Sequence, residues 1–335
     1  MITKQVFDLQ PISDADRARI LATPRTRDAH RQLLAETPAM NAVQIGGTAS
    51  DITLPGQFTV AAWNVERCLF PEETAAHLAP ISPDIVLLSE ADHGMARTSQ
   101  RHTTEDVAAP LGMTYAFGVE FHELDLGGAT ERAFCSDNFN ALGWHGNAVL
   151  SRVPFERTAL VRLDDHGHWF ASDMGNVDPD QPRLGGRMTI LAIVPTENGP
   201  LCVASTHLES NADAAHRHSQ MQRLLDAIDV FAPDLPVMIG GDLNTGNHLP
   251  PNFDWRDETL FSFAEDRGYA WDFTADGNTT RPSLITPHPD RVMKLDWLLG
   301  RGLKRLETGL VASTTADGKP LSDHDYVWCK AEIPE

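Results

Sequence analysis

The sequence predicts a mixed α/β protein built from layered β-sheets, and three features of the 335-residue chain support this fold class. Apolar runs of strand length recur from residue 57 onward. Residues 213–231 instead carry apolar side chains at helical spacing. The hydrophobic fraction of 41% is sufficient to bury a large core. Helices that occur between strands along a chain are typical of folds in which helices cover sheets.

The predicted strands begin at residues 58–63, which are rich in β-branched and aromatic side chains. The apolar run at residues 84–88 is the second predicted strand, and a short helix is expected between the two. Further strands are predicted at residues 147–151, 187–194, 201–205, 236–240, 295–299 and 326–330. The helix at residues 213–231 has one apolar face, formed by Met221, Leu224, Leu225, Ile228 and Phe231.

Residues 1–56 are predicted to form a partly helical N-terminal extension, which precedes a main domain at residues 57–335. Ser13 is a suitable N-cap for a helix that runs toward Leu34. Only a thin apolar stripe accompanies this helix. Glycine and proline residues then punctuate the chain just before the first predicted strand of the main domain.

Two stretches of the main domain are predicted to be long loops, because they are rich in glycine, aspartate and aromatic residues. They span residues 121–146 and 162–186. Loops of this length in a compact domain are usually functional or disordered. Asn147 follows the first stretch directly, and taken alone it is interpreted as a turn residue beside Gly146.

The charge and composition of the chain indicate which binding partners and which cellular location are expected. A formal net charge of −20, without clusters of Lys and Arg, disfavours binding to long nucleic acid. A bound cation can offset such a field locally, so the charge is still compatible with a nuclease. The first ten residues lack the apolar segment of a secretory signal, and we find no run long enough to span a membrane. We therefore expect a cytoplasmic protein, and the sequence does not indicate its oligomeric state.

Polar residues cluster where the predicted strands end. The residues concerned are Asn64, Glu66, Glu90, His207, Asp242, Asn244, Asp296, Asp323 and His324. Strand ends of this kind meet in layered α/β folds and form ligand sites. Carboxylate and amide oxygens suit Mg²⁺, Mn²⁺ or Ca²⁺, whereas zinc prefers more nitrogen or sulfur ligands. The set also offers a base for water and donors for phosphate oxygens, which phosphoryl transfer requires.

Each of these residues also has a simpler structural interpretation. Asn64 alone is best interpreted as a strand-end turn residue, and His207 alone as a buried histidine with satisfied hydrogen bonds. Asp242 and Asn244 are equally consistent with an Asx turn. Asp296 is harder to explain in this way, because strand interiors disfavour aspartate. The occurrence of the whole set in one chain favours a catalytic site.

The motifs around these residues resemble the endonuclease/exonuclease/phosphatase superfamily, also called the deoxyribonuclease-I-like fold, and within it the bacterial, sphingomyelinase-like members. The motifs are WNVE (63–66), LLSE (87–90), GNAVLSR (146–152), STHLE (205–209), GGDLN (240–244), LDW (295–297) and SDH (322–324). They follow the family's order and cover residues 57–335, which the resemblance identifies as a catalytic domain. The resemblance implies a four-layered αββα sandwich with two packed, mixed, mostly antiparallel sheets. It also implies one or two Mg²⁺ or Mn²⁺ ions as the cofactor.

The resemblance also implies roles for individual residues. The implied metal ligands are Asn64, Glu66, Glu90 and Asp323, with Glu90 as the main one. The implied catalytic residues are His207, Asp242, Asn244, Asp296 and His324. The implied substrate-binding or supporting residues are Arg187 and Asn147. Asp242 with Asn244 would position or deprotonate the water, and His207 would bind the phosphate. His324, oriented by Asp296, would act as base or phosphate contact, and the identity of the base stays open because family members differ.

We therefore predict divalent-metal-dependent hydrolysis of a phosphate ester by water attack on a metal-bound phosphate. The acidic charge and the motif sequences favour a phosphodiester of a small or lipid-derived substrate. A second hypothesis is an endo- or exonuclease of the same fold. A third hypothesis is a non-catalytic binding module on this fold, which the complete set of strand-end groups disfavours.

Overall fold

The computed structural model of the protein describes residues 1–172, 183–250 and 252–334. The strands defined there are β1 (Gln5–Val6), β2 (Val43–Gly47), β3 (Gln57–Arg67), β4 (Ile85–His93), β5 (Thr114–Glu123), β6 (Trp144–Ser151), β7 (Arg157–Arg162), β8 (Arg183–Gly185), β9 (Met188–Thr196), β10 (Gly199–His207), β11 (Val237–Asp242), β12 (Asp296–Arg301), β13 (Lys304–Val311) and β14 (Tyr326–Glu332). The α-helices are α1 (Asp14–Ala22), α2 (Arg27–Glu36), α3 (Pro71–Leu78), α4 (Thr103–Leu111), α5 (Ala129–Arg132), α6 (Ala214–Phe231) and α7 (Thr259–Asp266). None of these helices has the length and apolarity that crossing a membrane requires.

Two mixed β-sheets form the centre of the fold. The larger sheet has the strand order β1-β2-β5-β6-β4-β3-β14-β13, with β8 paired to β5. The smaller sheet has the order β12-β11-β10-β9-β7. Among the described pairs, β1–β2, β3–β4 and β10–β11 are parallel and the others are antiparallel. This arrangement confirms the predicted pair of mixed, mostly antiparallel sheets.

Alternation along the strands divides the apolar core into layers. On β3, Val60 and Ala62 pack between the sheets with residues such as Val203 of β10. Ala61 and Trp63 point the opposite way, into the apolar layer that α3 and α4 cover. The outer face of the smaller sheet packs against α6 and α7. Helices therefore flank both sheets, which confirms the predicted αββα order of layers.

Residues 1–56 contribute to the larger sheet and to its helical layer. β1 pairs with β2, and β2 pairs with β5. The single helix predicted to begin after Ser13 is instead two helices, α1 and α2, because Pro24 interrupts the helical backbone. Ile20 and Leu33, one on each helix, are buried in the core. A domain boundary at residue 56 stays a prediction.

The predicted loops are shorter than expected. In the stretch 121–146, the start is the end of β5, the end is the start of β6, and α5 lies between them. Asn147 lies inside β6 and is buried, so its interpretation as a turn residue is wrong. Of the loop predicted at 162–186, residues 173–182 lie outside the described residues. β1, β2, β5, β7, β8 and β13 were not predicted.

Candidate active site

Strands of both sheets bring polar side chains together at one end of the sandwich. His207 is the last residue of β10, Asp242 the last of β11, and Asp296 the first of β12. The register pairs His207 with Asp242, and Asp242 with Asp296. The larger sheet adds Asn64 from β3 and Glu90 from β4. The Asn64 side chain reaches across to Asp242 of the smaller sheet. The parallel pairs β3–β4 and β10–β11 therefore end at a common site.

Glu90, His207 and Asp242 border one cavity of about 200 Å³. It is lined by Glu66, Arg67, Glu90, His207, Ser210, Asp242, Asn244, Thr286, Arg291, Asp323 and His324. A larger surface hollow of about 710 Å³ beside Pro236 has no histidine in its lining. The smaller cavity is therefore the candidate active site, because catalytic groups converge there.

His324 and Asp296 form a buried hydrogen-bonded pair at this cavity. The Nδ1 atom of His324 lies 2.7 Å from Oδ2 of Asp296. Burial opposes a charged imidazole, but the carboxylates of Asp296 and Asp323 outweigh it and raise the pKa of His324 well above its usual range. Its other nitrogen, Nε2, faces Oδ2 of Asp242 at 3.6 Å. The pair therefore presents a positively charged imidazole of fixed orientation to the cavity.

Asn64 bridges two carboxylates that belong to different sheets. Its Nδ2 donates to Oε1 of Glu90 at 3.1 Å and to Oδ2 of Asp242 at 3.0 Å. Its Oδ1 accepts the backbone N–H of Glu66 at 3.0 Å. In this orientation Asn64 turns donors toward the carboxylates, so the predicted direct coordination of a metal by its oxygen does not fit. Asn64 instead fixes Glu90 relative to Asp242.

Asp242 and Asn244 form an Asx turn that also lines the cavity. The backbone N–H of Asn244 donates to Oδ1 of Asp242 at 2.9 Å. The Asn244 side chain is anchored to the carbonyl of Leu208 at 3.0 Å and to the side chain of Asn247 at 2.7 Å. Oδ2 of Asp242 lies 3.6 Å from Nε2 of His207. The turn therefore holds one oxygen of Asp242 and leaves the other toward the two histidines.

Arg187 supports His207 from behind the cavity wall. Its Nη1 donates to Oε1 of Glu120 at 2.9 Å and lies 2.8 Å from Nδ1 of His207. Its Nε donates to Oε2 of Glu209 at 3.2 Å. Although burial favours the neutral acid, His207 and Arg187 lower the pKa of Glu120 to about 2. Arg187 does not line the cavity and orients His207 in this structure, which fits a supporting role better than substrate binding.

Glu66 and Asp323 are buried carboxylates that lie side by side in the wall. The backbone N–H of Asp323 donates to Oε2 of Glu66 at 3.1 Å, and the Ser283 hydroxyl donates to Oε1 at 2.6 Å. Burial and the charge of Asp323 raise the pKa of Glu66 to about 7. Arg291 donates to Oδ2 of Asp323 at 2.8 Å. The raised pKa reflects burial together with the negative charge of Asp323, and a bound cation would neutralise that charge.

The donor set fits a divalent cation with oxygen ligands. Glu66, Glu90 and Asp323 present carboxylate oxygens to one cavity, and hard cations prefer such ligands. A second group, whose donor atoms lie within 4.8 Å of one another, consists of Asp242, Asp296 and His324. The first group offers oxygen ligands alone, which Mg²⁺ and Mn²⁺ prefer, whereas the second group includes a histidine nitrogen.

The backbone that carries these residues is strained. Glu66, Arg67 and Glu90 have φ angles of 41°, 73° and 61°, which lie in the left-handed region. The β3–β4 register shifts just before Arg67, and the β4–β6 register shifts around Glu90. A left-handed conformation costs roughly 1–2 kcal/mol for a residue other than glycine. Such bulges re-aim side chains next to active sites, and here they turn acidic side chains into the cavity.

Most of the predicted site residues converge, but Asn147 does not line the cavity. Its Nδ2 donates to the backbone carbonyl of Met188 at 3.0 Å, so its predicted role in substrate binding is not supported. The cavity residues that the sequence analysis missed are Arg67, Ser210, Thr286 and Arg291. Arg67 and Ser210 directly follow the WNVE and STHLE motifs, which was the available signal. The other two lie in an irregular segment without a motif.

The sequence matches one known family over most of its length. The profile described as "Endonuclease/Exonuclease/phosphatase family" matches residues 61–330. That range contains every predicted site residue. Among curated protein sequences there is no significant match.

Several solved structures have the same fold as this chain, among them the following three. An endonuclease/exonuclease/phosphatase from Beutenbergia cavernae is 20% identical, with a TM-score of 0.59, and the alignment covers 83% of this chain and 72% of that chain. The human Nocturnin catalytic domain with bound sulfate is 16% identical, with a TM-score of 0.54 and coverage of 87% and 97%. D. rerio TDP2 complexed with a single-strand DNA product is 16% identical, with a TM-score of 0.53 and coverage of 82% and 99%. At these identities the likeness shows the fold.

Proposed function

Because the chain belongs to the endonuclease/exonuclease/phosphatase family, whose chemistry is metal-dependent hydrolysis of phosphate esters, we propose that it is a Mg²⁺- or Mn²⁺-dependent phosphodiesterase. The observation that carries the proposal is the convergence of three kinds of group on one cavity. These are a set of carboxylates that would bind a cation, an aspartate that would activate the water, and two histidines that would bind the phosphate. Phosphoryl transfer to water needs all three.

Glu90, Glu66 and Asp323 are the residues that would hold the cation. When bound, the cation would neutralise charge on the phosphate and lower the cost of bringing an anion into an acidic site. Arg291 neutralises one oxygen of Asp323, so the protein already places positive charge at the cavity edge. Asn64 and the Asx turn fix the position of these ligands relative to Asp242.

The chain's own residues supply the proton transfer and the phosphate contacts. Asp242 accepts a proton from water through Oδ2, while Asn244 keeps its other oxygen occupied. The water oxygen forms the new bond to phosphorus, and the bond from phosphorus to the leaving oxygen breaks. The leaving oxygen takes that electron pair and is protonated by solvent, so that an alcohol and a phosphate monoester are released. His324, held positive by Asp296, donates to a phosphate oxygen. His207, oriented by Arg187, donates from the other side of Asp242.

A small or lipid-derived phosphodiester is the substrate class that the surroundings of the cavity favour. The net charge of −20 disfavours a long polyanion. Leu284, Val292 and Phe253 are exposed large apolar side chains. Leu284 and Val292 lie close in sequence to the cavity residues Thr286 and Arg291. An apolar or lipid-like group beside the scissile phosphate would cover these side chains.

Hydrolysis of bis(p-nitrophenyl) phosphate, compared with that of p-nitrophenyl phosphate, tests this proposal. With Mn²⁺ we expect hydrolysis of the diester and a loss of at least about 100-fold for His324→Ala or Asp242→Asn. His218→Ala, on α6 away from the cavity, is the matched histidine control and should keep full activity. Hydrolysis of the monoester alone would replace the proposal with a phosphatase. Full activity in His324→Ala would contradict the assigned site.

A nuclease is the second candidate, and the similar structure that contains a DNA product favours its inclusion. This candidate predicts Mn²⁺-dependent nicking of supercoiled plasmid with strong salt dependence. Rapid nicking together with weak hydrolysis of small diesters would favour it over the first candidate. Intact plasmid after long incubation would exclude it. If the protein hydrolyses none of these substrates, a non-catalytic binding module would be favoured.

A further inference from the structure

Arg67 is a charged residue of the cavity wall that the mechanism above does not use. Its Nη1 pairs with Oε2 of Glu90, and its Nε donates to Oε1 of Glu131 at 2.9 Å. Its side chain is 15% exposed, so the guanidinium reaches the cavity although most of it is buried. Nη2 makes no hydrogen bond within the part of the chain that the structure describes. The guanidinium therefore has donors left for a ligand.

A buried network fixes the orientation of Arg67. Glu131, its inner partner, also accepts from Nη1 of Arg97 at 2.8 Å and from the backbone N–H of Gly128 at 3.0 Å. Arg97 is itself buried and makes two hydrogen bonds with Asp92, at 2.7 and 2.8 Å. The guanidinium plane is therefore held from behind, and its outer edge faces the cavity. Such preorganisation suits a residue that binds a ligand.

Arg67 lies at the centre of a strained stretch of backbone. Glu66, Arg67 and Cys68 have successive φ angles of 41°, 73° and 59°. Glycine would adopt this conformation without strain, and asparagine with little. The chain instead places arginine at the centre of the left-handed turn, directly beside Glu90. Strain of this kind is typical of functional positions.

We propose that Arg67 is a further substrate-binding residue, whose guanidinium contacts a non-bridging phosphate oxygen once a cation has taken Glu90. This inference rests on the proposed function, because it concerns the phosphate of that substrate. In this structure Arg67 pairs with the carboxylate that the cation would use. A cation held by Glu90 would weaken that pair and would leave the guanidinium beside the incoming anion. The planar fork of arginine matches the geometry of a phosphate.

A substrate-binding role and a purely positioning role predict opposite changes in cation affinity. Arg67 competes with a cation for Glu90 if it is a phosphate ligand, so its removal leaves the cation affinity unchanged or higher. If Arg67 only holds Glu90 in place, its removal weakens the cation site and the phosphate site together. Measuring both affinities on the same variants separates the two roles.

The experiment is calorimetric titration of the full chain with Mn²⁺, followed by titration of the Mn²⁺-loaded protein with inorganic phosphate. Arg67→Asn is the main variant, because asparagine tolerates the left-handed backbone, and Arg67→Lys keeps the charge without the fork. Arg223→Asn, on the exposed face of α6, is the control with the same charge change. For Arg67→Asn we expect equal or tighter Mn²⁺ binding and phosphate binding weaker by about 30-fold. Arg67→Lys should lie between wild type and Arg67→Asn.

Two results would overturn the proposal. One is a loss of Mn²⁺ affinity in Arg67→Asn that parallels the loss of phosphate affinity. The other is phosphate binding within about threefold of wild type, which is less than the loss of a charged hydrogen bond. Thermal unfolding of each variant shows whether it is folded, and Arg67→Lys carries the test if Arg67→Asn is not. If the wild type hydrolyses no phosphate ester, the proposed function fails, while the binding comparison still decides the role of Arg67.

Discussion

Two buried clusters of charge in this protein differ in how they are balanced. Arg217 on α6 is fully buried and pairs with Glu258 through two hydrogen bonds, at 2.9 and 2.8 Å. Its remaining contacts are the backbone carbonyls of Ala212 at 2.6 Å and Asn247 at 2.9 Å. One positive and one negative group therefore satisfy each other without a ligand.

The cavity cluster is unbalanced and open by comparison. Glu66 and Asp323 lie side by side, and the pKa of Glu66 is raised to about 7. Strained backbone at Glu66 and Glu90 brings these acids together instead of keeping them apart. A closed, neutral pair therefore stabilises the fold, whereas a strained cluster with excess charge is arranged for a ligand. Breaking each cluster should therefore have opposite consequences.

Breaking the balanced cluster should have the largest effect on stability. Arg217→Met leaves the buried carboxylate of Glu258 without its partner, which costs about 3–5 kcal/mol. The expected result is a marked fall in the urea midpoint, measured by circular dichroism on chelated protein. The double variant Arg217→Met, Glu258→Gln removes both charges and should recover much of the loss. Equal midpoints for Arg217→Met and wild type would show that the pair does not support the fold.

Adding a cation should stabilise the unbalanced cluster alone. Mn²⁺ at about 100 times its dissociation constant should raise the unfolding free energy of wild type by about 2.7 kcal/mol. Asp323→Asn removes one proposed ligand, so the same Mn²⁺ concentration should stabilise it much less. Arg217→Met keeps the cavity and should gain as much as wild type. The measurement is the thermal midpoint with and without Mn²⁺, and equal gains in wild type and Asp323→Asn would contradict the assigned ligands.

Removing one charge from the unbalanced cluster should slightly stabilise the metal-free protein. The folded-state pKa of Glu66, about 7, is above its ordinary value of 4.5. Ionised Glu66 therefore destabilises the fold above pH 7, and this cost disappears as the pH falls toward 4.5. Glu66→Gln should raise the free energy of unfolding at about pH 8 by on the order of 1 kcal/mol, measured by urea titration, while activity with Mn²⁺ falls.

The pH dependence of the Glu66→Gln effect tests its physical cause. For Glu66→Gln the same urea titration is repeated near pH 4.5, where the variant and wild type should coincide. A gain that is independent of pH would mean that repulsion with Asp323 is not its cause. A loss of stability at about pH 8 would mean that the hydrogen bonds to Glu66 outweigh its charge.

Much of the site could be predicted from the sequence where a residue type conflicts with its local structure. Asp296 lies in an apolar strand, and the structure pairs it with His324. Asp242 with Asn244 was consistent with an Asx turn or a catalytic position, and the structure contains the turn at the cavity wall. Such conflicts between polarity and burial are visible in one sequence.

Arg67 and Asn147 could not be placed from the sequence for different physical reasons. Arg67 enters the cavity through a left-handed bulge that has no glycine to mark it. Asn147 looks like a turn residue beside a glycine, but neighbouring strands on both sides bury it inside the larger sheet. The edge strand β13 was missed because it is largely exposed and has no buried alternation. Tertiary pairing decided each of these positions.

Hydrolysis of bis(p-nitrophenyl) phosphate by chelated protein during stepwise addition of Mn²⁺ is the sharpest test of the proposed metal site. We expect no turnover without metal and a saturable rise in rate for wild type. We also expect no comparable rise for Glu90→Gln at the Mn²⁺ concentration that saturates wild type. Full activity in the chelated protein, or an unchanged response in Glu90→Gln, would contradict the claim that the strained acidic cluster is the metal site of a phosphodiesterase.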